Sequence, residues 1–143
     1  MKCIFVDFDD TLCLHKEPIR TEMHMFESIE TACKKFYKNS KANLELLDYL
    51  EHFKEEGTRI ILLSACNSKM IEIKKEWCKN HCNNLFDDYI GSSVDLSKSD
   101  IIKAYAEFIN EDILEMSLID DSDKELEEAI EAGIPAIDAT DFV

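Results

Sequence analysis

The feature that most constrains this chain is residues 2–12, where a short apolar run is followed at once by a group of acids. Residues 3–6 are apolar and rich in β-forming types, a pattern typical of a buried strand in a parallel sheet. Asp7, Asp9 and Asp10 follow directly, and carboxylates this close repel one another where water is partly excluded. An ordinary acidic turn needs only one aspartate. We therefore expect a bound divalent cation, and Mg²⁺ suits a site where a phosphate supplies further oxygen ligands.

Composition indicates a single domain over residues 1–143, with 45% hydrophobic residues and enough length for one sizeable core. No apolar run approaches the roughly 20 residues of a membrane span, and the N-terminus lacks a secretory pattern, so we expect a cytoplasmic protein without a membrane partner. The formal charge of −15 disfavours long nucleic acids as partners. The six cysteines are expected to be free thiols rather than disulfides.

After the acidic stretch, apolar runs alternate with amphipathic segments of helical period. The runs predict strands over 3–6, 59–64, 86–92, 116–119 and 134–139, and the amphipathic segments predict helices over 44–56, 68–80, 98–109 and 123–132. Strands that are apolar throughout and alternate with helices favour a parallel sheet covered on both faces. The expected fold is a three-layer, Rossmann-like α/β domain with a parallel five-stranded sheet.

Residues 13–42 form the least regular part of the chain. Residues 14–42 carry six Lys or Arg against four Asp or Glu, so this segment is basic relative to the rest. One interpretation is a small lid or substrate-facing insert that attracts an anionic substrate. The other is a solvated amphipathic helix, with Met25, Phe26, Ile29 and Cys33 on its inner side. The two interpretations are compatible, and the sequence favours neither.

Polar residues stand at the ends of three predicted strands: Asp7 with Asp9, then Ser64, then Asp120 with Asp121. In open parallel sheets the ligand site forms beyond the carboxyl ends of the strands. Carboxylates that share a divalent ion can receive a phosphate, and one carboxylate can attack phosphorus. A second acid two residues later can give and take the proton. Lys98 opens a helix, where the helix dipole disfavours a cation, and this unfavourable placement points to a functional role.

Four segments, in order, resemble the motifs of the haloacid dehalogenase superfamily, whose members are mostly Mg²⁺-dependent phosphohydrolases. An apolar strand precedes the Asp-x-Asp-x-Thr-Leu pattern at residues 7–12, and a second strand ends in a hydroxyl residue at Ser64. A lysine opens a helix at Lys98, with Lys103 as the alternative. A further strand ends in paired acids, and residues 118–122 read Leu-Ile-Asp-Asp-Ser. The resemblance covers essentially the whole chain.

The resemblance implies a role for each matching residue. Asp7 would be the nucleophile that forms an aspartyl-phosphate, and Asp9 the general acid and base. Ser64, Ala65 and Lys98 would bind the phosphoryl group. Ser64 and Lys98 would also be catalytic, because they would stabilise that group during its transfer.

The resemblance also implies a Mg²⁺ site. Asp7, the backbone carbonyl of Asp9, and Asp121 would hold the ion, with Asp120 in support. Asp10 departs from the pattern, since many members have glycine there, and this difference is expected to alter the adjoining turn while leaving the chemistry intact.

Members of the superfamily often carry a cap domain after the first motif or between the second and third. Neither residues 13–63 nor residues 65–97 can hold a full cap in addition to the elements predicted there. We therefore expect a small capless member with an open site, partly roofed by 13–42. The expected activity is hydrolysis of a phosphate monoester, with a small phosphorylated metabolite or nucleotide as substrate.

The alternative is a non-catalytic or signalling phosphate-binding module of related α/β architecture. Asp9 argues against a signalling module, because such a module has no need of a proton donor two residues after the phosphorylated acid. The sequence leaves the substrate and the oligomeric state open.

Overall fold

A computed structural model describes residues 1–15 and 29–142 and contains a five-stranded parallel sheet. The strands of this sheet are β1 (Cys3–Val6), β4 (Arg59–Ala65), β5 (Asp88–Ser92), β6 (Met116–Asp120) and β7 (Ala136–Asp138). They lie in the order β5-β4-β1-β6-β7. A separate antiparallel pair consists of β2 (Cys13–Leu14) and β3 (Lys41–Ala42). The predicted five-stranded parallel sheet is therefore confirmed.

Helices cover both faces of the sheet. They are α1 (Ile29–Lys38), α2 (Leu44–Glu55), α3 (Ser68–His81), α4 (Lys98–Phe108) and α5 (Asp123–Glu131). Asparagine or serine side chains cap the N-termini of the last four helices, which is why these helices begin where the sequence predicted. α1 to α3 cover one face and α4 with α5 the other, which gives the expected three layers.

Alternate residues of the central strands supply the two cores. Ile4 and Val6 of β1 face the side of α1 to α3, whereas Cys3 and Phe5 face the side of α4 and α5. All four side chains are fully buried. Because successive strand residues point to opposite faces, a strand between two helical layers must be apolar throughout. The position of β1 at the centre of the sheet therefore explains its sequence.

Two predicted strands are shorter than expected, each for a local reason. β5 begins at Asp88 rather than at residue 86, because the Asp87 carboxylate accepts the Ile60 N–H at 2.9 Å and occupies that edge of β4. β7 begins at Ala136 rather than at 134. The Ile134 N–H closes the end of α5 by donating to Ala129, and Pro135 has no N–H to donate.

β5 approaches the loop after β4 closely at Gly91. Gly91 is paired in register with Ser64, the hydroxyl residue near the end of β4. A Cβ placed on Gly91 would lie 2.6 Å from the backbone carbonyl oxygen of Cys66. Only glycine allows the two backbones to lie this close.

The basic segment 13–42 is described at its two ends. β2 pairs with β3, and α1 packs against α3, where the Trp77 indole N–H donates to the Tyr37 carbonyl at 3.2 Å. Cys33 is buried, as the amphipathic-helix interpretation requires. Met25 and Phe26 lie outside the described residues, and the lid interpretation stays a prediction.

The six cysteines are free thiols, buried except for Cys66, which is half-buried. Among the helices of residues 1–15 and 29–142, none has the length and apolar character needed to cross a membrane.

Candidate active site

Two groups of polar side chains lie side by side at the carboxyl ends of β1, β4 and β6. We call them the Lys98 cluster and the Lys74 cluster, after the buried lysine at the centre of each. Each strand ends in acids or a hydroxyl, and the neighbouring helices supply the two lysines. The strand order places β1 between β4 and β6, so both clusters contain acids from the β1 end.

The Lys98 cluster consists of Thr11, Lys98 and three acids, Asp7, Asp120 and Asp121. The Lys98 ammonium donates to Asp7 Oδ1 at 2.9 Å and to Asp120 Oδ2 at 2.7 Å. Thr11 Oγ1 lies 3.0 Å from Asp7 Oδ2 and 3.2 Å from Asp121 Oδ1, and its single hydrogen can serve one of them at a time. β1, β6 and the first turn of α4 thus converge on one point.

Burial leaves the Lys98 cluster with an excess of negative charge. Asp120 is 1% exposed and Lys98 is 4% exposed, so water screens neither. Burial raises the pKa of Asp7 to about 7; the Lys98 ammonium opposes this rise and the Asp120 charge adds to it. Burial works to lower the pKa of Lys98, but the charges of Asp7 and Asp120 outweigh it and raise that pKa. One ammonium therefore does not balance three carboxylates.

The three acids of the Lys98 cluster fit a divalent cation. One carboxylate oxygen from each of Asp7, Asp120 and Asp121 lies within 4.8 Å of the others. Carboxylate oxygens are the hard donors that Mg²⁺ prefers, and its two charges would balance the excess negative charge of the three acids. Both the kind of ligand atom and the excess of negative charge thus fit a divalent cation.

The Lys74 cluster surrounds Asp9. The Lys74 ammonium donates to Asp9 Oδ2 at 3.0 Å and to Ser64 Oγ at 2.7 Å. The other carboxylate oxygen, Oδ1, lies 2.8 Å from His15 Nε2 and 3.2 Å from the Tyr37 hydroxyl, which donates to it. Residues from β1, β4, α1 and α3 thus meet at this carboxylate.

These partners keep Asp9 ionised and anchored. Burial works to raise the pKa of Asp9, but hydrogen bonds from His15 and Lys74 and the charge of Lys74 outweigh it, so the pKa lies below its ordinary value. The Asp9 side chain is 37% exposed, so it lies at the mouth of the site. Asp9 is thus an ionised carboxylate, fixed by its partners on one side and open to solvent on the other.

The turn between the two clusters is tight. The Phe8 carbonyl accepts the backbone N–H groups of Thr11, Leu12 and Cys13. Asp10 has φ +58°, a left-handed conformation that glycine adopts freely and aspartate adopts more easily than most residues. The departure at Asp10 therefore keeps the backbone shape that glycine would give, with an exposed carboxylate added.

The structure brings together Asp7, Asp120, Asp121 and Lys98 on one side and Asp9 with Ser64 on the other. Ala65 is exposed next to Ser64 at the end of β4. Lys103 is exposed on the outer side of α4 and makes none of the contacts of the Lys98 cluster.

Sequence reasoning missed Lys74. Its side chain is only 3% exposed, although lysine is rarely buried without a partner. A signal was available: the inner side of α3 carries Met70, Ile73 and Trp77, and Lys74 falls on the same helical stripe. A lone lysine within an apolar stripe predicts an acidic partner opposite it.

No protein-family model matches the sequence, and no curated protein matches it either. Solved structures do match. A haloacid dehalogenase-like family hydrolase from Streptococcus pneumoniae aligns with a TM-score of 0.66 and 16% identity, over 96% of this chain and 84% of its own.

Two further structures come from Bacteroides species. A HAD family enzyme from Bacteroides thetaiotaomicron, solved as a mutant in complex with magnesium and inorganic phosphate, aligns with a TM-score of 0.66 and 18% identity, over 96% of this chain and 93% of its own. The N-terminal part of a Bacteroides fragilis protein, containing a phosphatase domain complexed with Mg, has a TM-score of 0.70 and 15% identity, over 99% of this chain and 38% of its own. The chain therefore has the haloacid dehalogenase-like fold that its four motifs predicted.

Proposed function

We propose that this protein is a Mg²⁺-dependent phosphatase that hydrolyses a phosphate monoester through an aspartyl-phosphate on Asp7. The observation that carries the proposal is the pair of clusters at the β1 end. Asp7 shares a cation-binding group with Asp120 and Asp121, while Asp9, two residues later, is held apart by other partners. This separation supports attack by Asp7 and proton transfer by Asp9.

Asp7, Asp120 and Asp121 would hold the Mg²⁺ ion, together with the backbone carbonyl of Asp9. When bound, the ion would reduce the repulsion between the acids and an incoming phosphate. Two relatives of similar fold are complexed with magnesium, and one of them also with inorganic phosphate, which supports the assignment of the metal and of the ligand class.

In the first step an Asp7 carboxylate oxygen attacks phosphorus, and the bond between phosphorus and the leaving oxygen breaks. The leaving alkoxide takes a proton from Asp9, which must first have been protonated. The Lys98 ammonium and the Ser64 hydroxyl are suited to stabilise the phosphoryl oxygens, since preorganised donors there lower the barrier.

In the second step a water oxygen attacks the phosphorus of the aspartyl-phosphate. Asp9 takes the proton of that water, the bond between phosphorus and Asp7 breaks, and inorganic phosphate leaves. The hydrogen bonds that keep Asp9 ionised favour this step. They also predict that substrates whose leaving oxygen needs little protonation, such as aryl phosphates, react fastest.

A small phosphorylated metabolite or nucleotide is the substrate class we propose. The net charge of −15 disfavours long polynucleotides. Among the described residues, Asp9 is half-buried and Ala65 is exposed, which supports an open, capless enzyme.

The direct test is phosphate release from an aryl phosphate with added Mg²⁺ and with a chelator, followed by acid quenching of the protein during turnover. We expect release only with Mg²⁺, and a protein mass increased by one phosphoryl group that hydroxylamine removes. Phosphate binding without release in Mg²⁺ would favour the non-catalytic module instead. A screen of phosphorylated metabolites then identifies the substrate.

A further inference from the structure

Lys74 and Lys98 are the two buried lysines among the described residues. The two-step mechanism gives a role to Lys98 but none to Lys74. It lies on α3, and nothing in the motifs points to it. Its ammonium has three hydrogens. Two are directed at Asp9 and Ser64, and the nitrogen also lies 5.4 Å from the centre of the Phe8 ring, within the range of a cation–π contact.

The contact with Ser64 fixes the direction of a hydrogen bond. An ammonium group can only donate, so Ser64 Oγ must accept from Lys74. The single hydrogen of the Ser64 hydroxyl is then left for another acceptor. The nearby thiol of Cys66 is protonated, because burial raises its pKa, and a thiol is a weak acceptor that a phosphate oxygen would readily replace.

The contact with Asp9 likewise fixes the position of the Asp9 carboxylate. Asp9 Oδ2 accepts from the same ammonium that donates to Ser64, so a single charge ties the end of β4 to the turn after β1. The Lys74 side chain is 3% exposed, so its ammonium is shielded from competing water, although Asp9 itself is open to solvent on one side.

We propose that Lys74 is a positioning residue that orients the Ser64 hydroxyl as a donor to the phosphoryl group and keeps Asp9 beside it. This proposal rests on the proposed function, because it takes Ser64 as the hydroxyl that contacts the phosphoryl group. Lys74 itself acts through these two residues rather than by contact with the substrate.

A double-mutant cycle tests the orientation of Ser64. Inorganic phosphate binding in Mg²⁺ is measured by calorimetry for the wild type, Lys74→Met, Ser64→Ala and the double variant. Removing a hydrogen bond to a charged group costs about tenfold in affinity, so we expect each single variant to bind phosphate about tenfold more weakly. If Lys74 acts through Ser64, the double variant is at most about threefold weaker than either single variant.

Two results would overturn the proposal. One is a double variant whose loss is the product of the single losses, about a hundredfold, because Lys74 would then act independently of Ser64. The other is unchanged binding in Lys74→Met. Lys75→Met is the matched control, since Lys75 is the adjacent lysine of α3 and lies over the Tyr89 ring instead. We expect it to bind phosphate as the wild type does.

Stability and turnover distinguish a positioning role from a purely structural one. A lysine with only a structural role would lower the melting temperature of Lys74→Met without the coupling to Ser64. Should Lys74→Met fail to fold, Lys74→Gln replaces it in the cycle, because a neutral amide removes the charge beside Asp9 and no longer obliges Ser64 Oγ to accept a hydrogen bond. If the protein binds phosphate with the expected coupling but releases none from aryl phosphates, only the proposed function is contradicted. If it releases phosphate but the losses of affinity in Lys74→Met and Ser64→Ala are independent, only the role of Lys74 is contradicted.

Discussion

Each of the two buried lysines of the site donates to an aspartate and lowers its pKa, yet the two aspartates end with opposite net shifts. Lys98 faces Asp7 within a group of three acids, and the pKa of Asp7 is raised by burial in spite of it. Lys74 faces Asp9 together with His15, and the pKa of Asp9 is lowered. The difference lies in burial, which has the largest effect on Asp7 and to which the Asp120 charge adds, whereas around Asp9 the hydrogen bonds from His15 and Lys74 outweigh burial. A similar lysine contact thus leaves one aspartate with a raised pKa and its neighbour with a lowered one.

The largest expected effect is at Asp7. Asp7→Asn removes the nucleophile, and we expect hydrolysis of an aryl phosphate in Mg²⁺ to fall by at least about 10⁴-fold. The fold should persist, with a melting temperature no lower than that of the wild type, because asparagine removes one of three clustered charges. Activity within tenfold of the wild type would exclude Asp7 as the nucleophile and remove the distinction between the two acids.

The second effect is at Asp9. Asp9→Asn cannot take a proton from water, so we expect kcat to fall by about 10²–10⁴-fold and aspartyl-phosphate to accumulate in acid-quenched samples. Asp10→Asn is the matched control, since Asp10 is the exposed neighbouring acid and asparagine also tolerates its φ of +58°. Equal kinetics in the two variants would show that Asp9 has no special part in proton transfer.

The third effect concerns the two lysines of α4. Lys98→Met removes the cation between Asp7 and Asp120, and we expect kcat/KM to fall by about 10²–10³-fold. Lys103→Met, which changes an exposed lysine of the same helix, should stay within about twofold of the wild type. The reverse pattern, measured with the same aryl phosphate, would assign the phosphate-stabilising role to Lys103.

The smallest effect lies outside the clusters. A groove of about 450 Å³ between α1 and α3 is lined by lysines that include Lys34, and Lys38 lines the adjoining cavity. Reversing both charges, Lys34→Glu with Lys38→Glu, is expected to raise KM for anionic substrates about two- to fivefold with kcat unchanged, because attraction toward the site is lost. Lys2→Glu with Lys103→Glu changes the net charge equally and is the control. Equal KM values in both double variants would leave α1 as a solvated surface helix.

The sequence predicted the Lys98 cluster better than the Lys74 cluster, for a physical reason. Asp7, Asp120 and Asp121 each follow a buried strand, and parallel strands deliver their ends to the same edge, so order along the chain is enough to place them together. Lys74 reaches the site from the middle of α3, and Tyr37 reaches it from the last turn of α1. Their positions depend on how α1 and α3 are packed, which local patterns do not specify.

Strands and helices, too, were predictable where they depend on local sequence pattern alone. Strands and helices with a strong hydrophobic period were predicted to within two residues. The two-residue error at the start of β5 arises because the Asp87 side chain accepts the hydrogen bond that a strand residue would otherwise have made. A bond between side chain and backbone leaves no trace in hydrophobic pattern. Residues 16–28 of the basic segment lie outside the described residues, and the lid there stays a prediction.

Gly91 has a consequence that reaches beyond its own strand. A methyl group at this position would meet the Cys66 carbonyl and displace the loop that follows Ser64. Any substitution of Gly91 should therefore push this loop out of place. It would disable the site from a neighbouring strand, although every functional group of the site would be unchanged. In a saturation library selected for activity, we expect position 91 to accept only glycine. It should be as restricted as the aspartates of the site, although it takes no part in the chemistry.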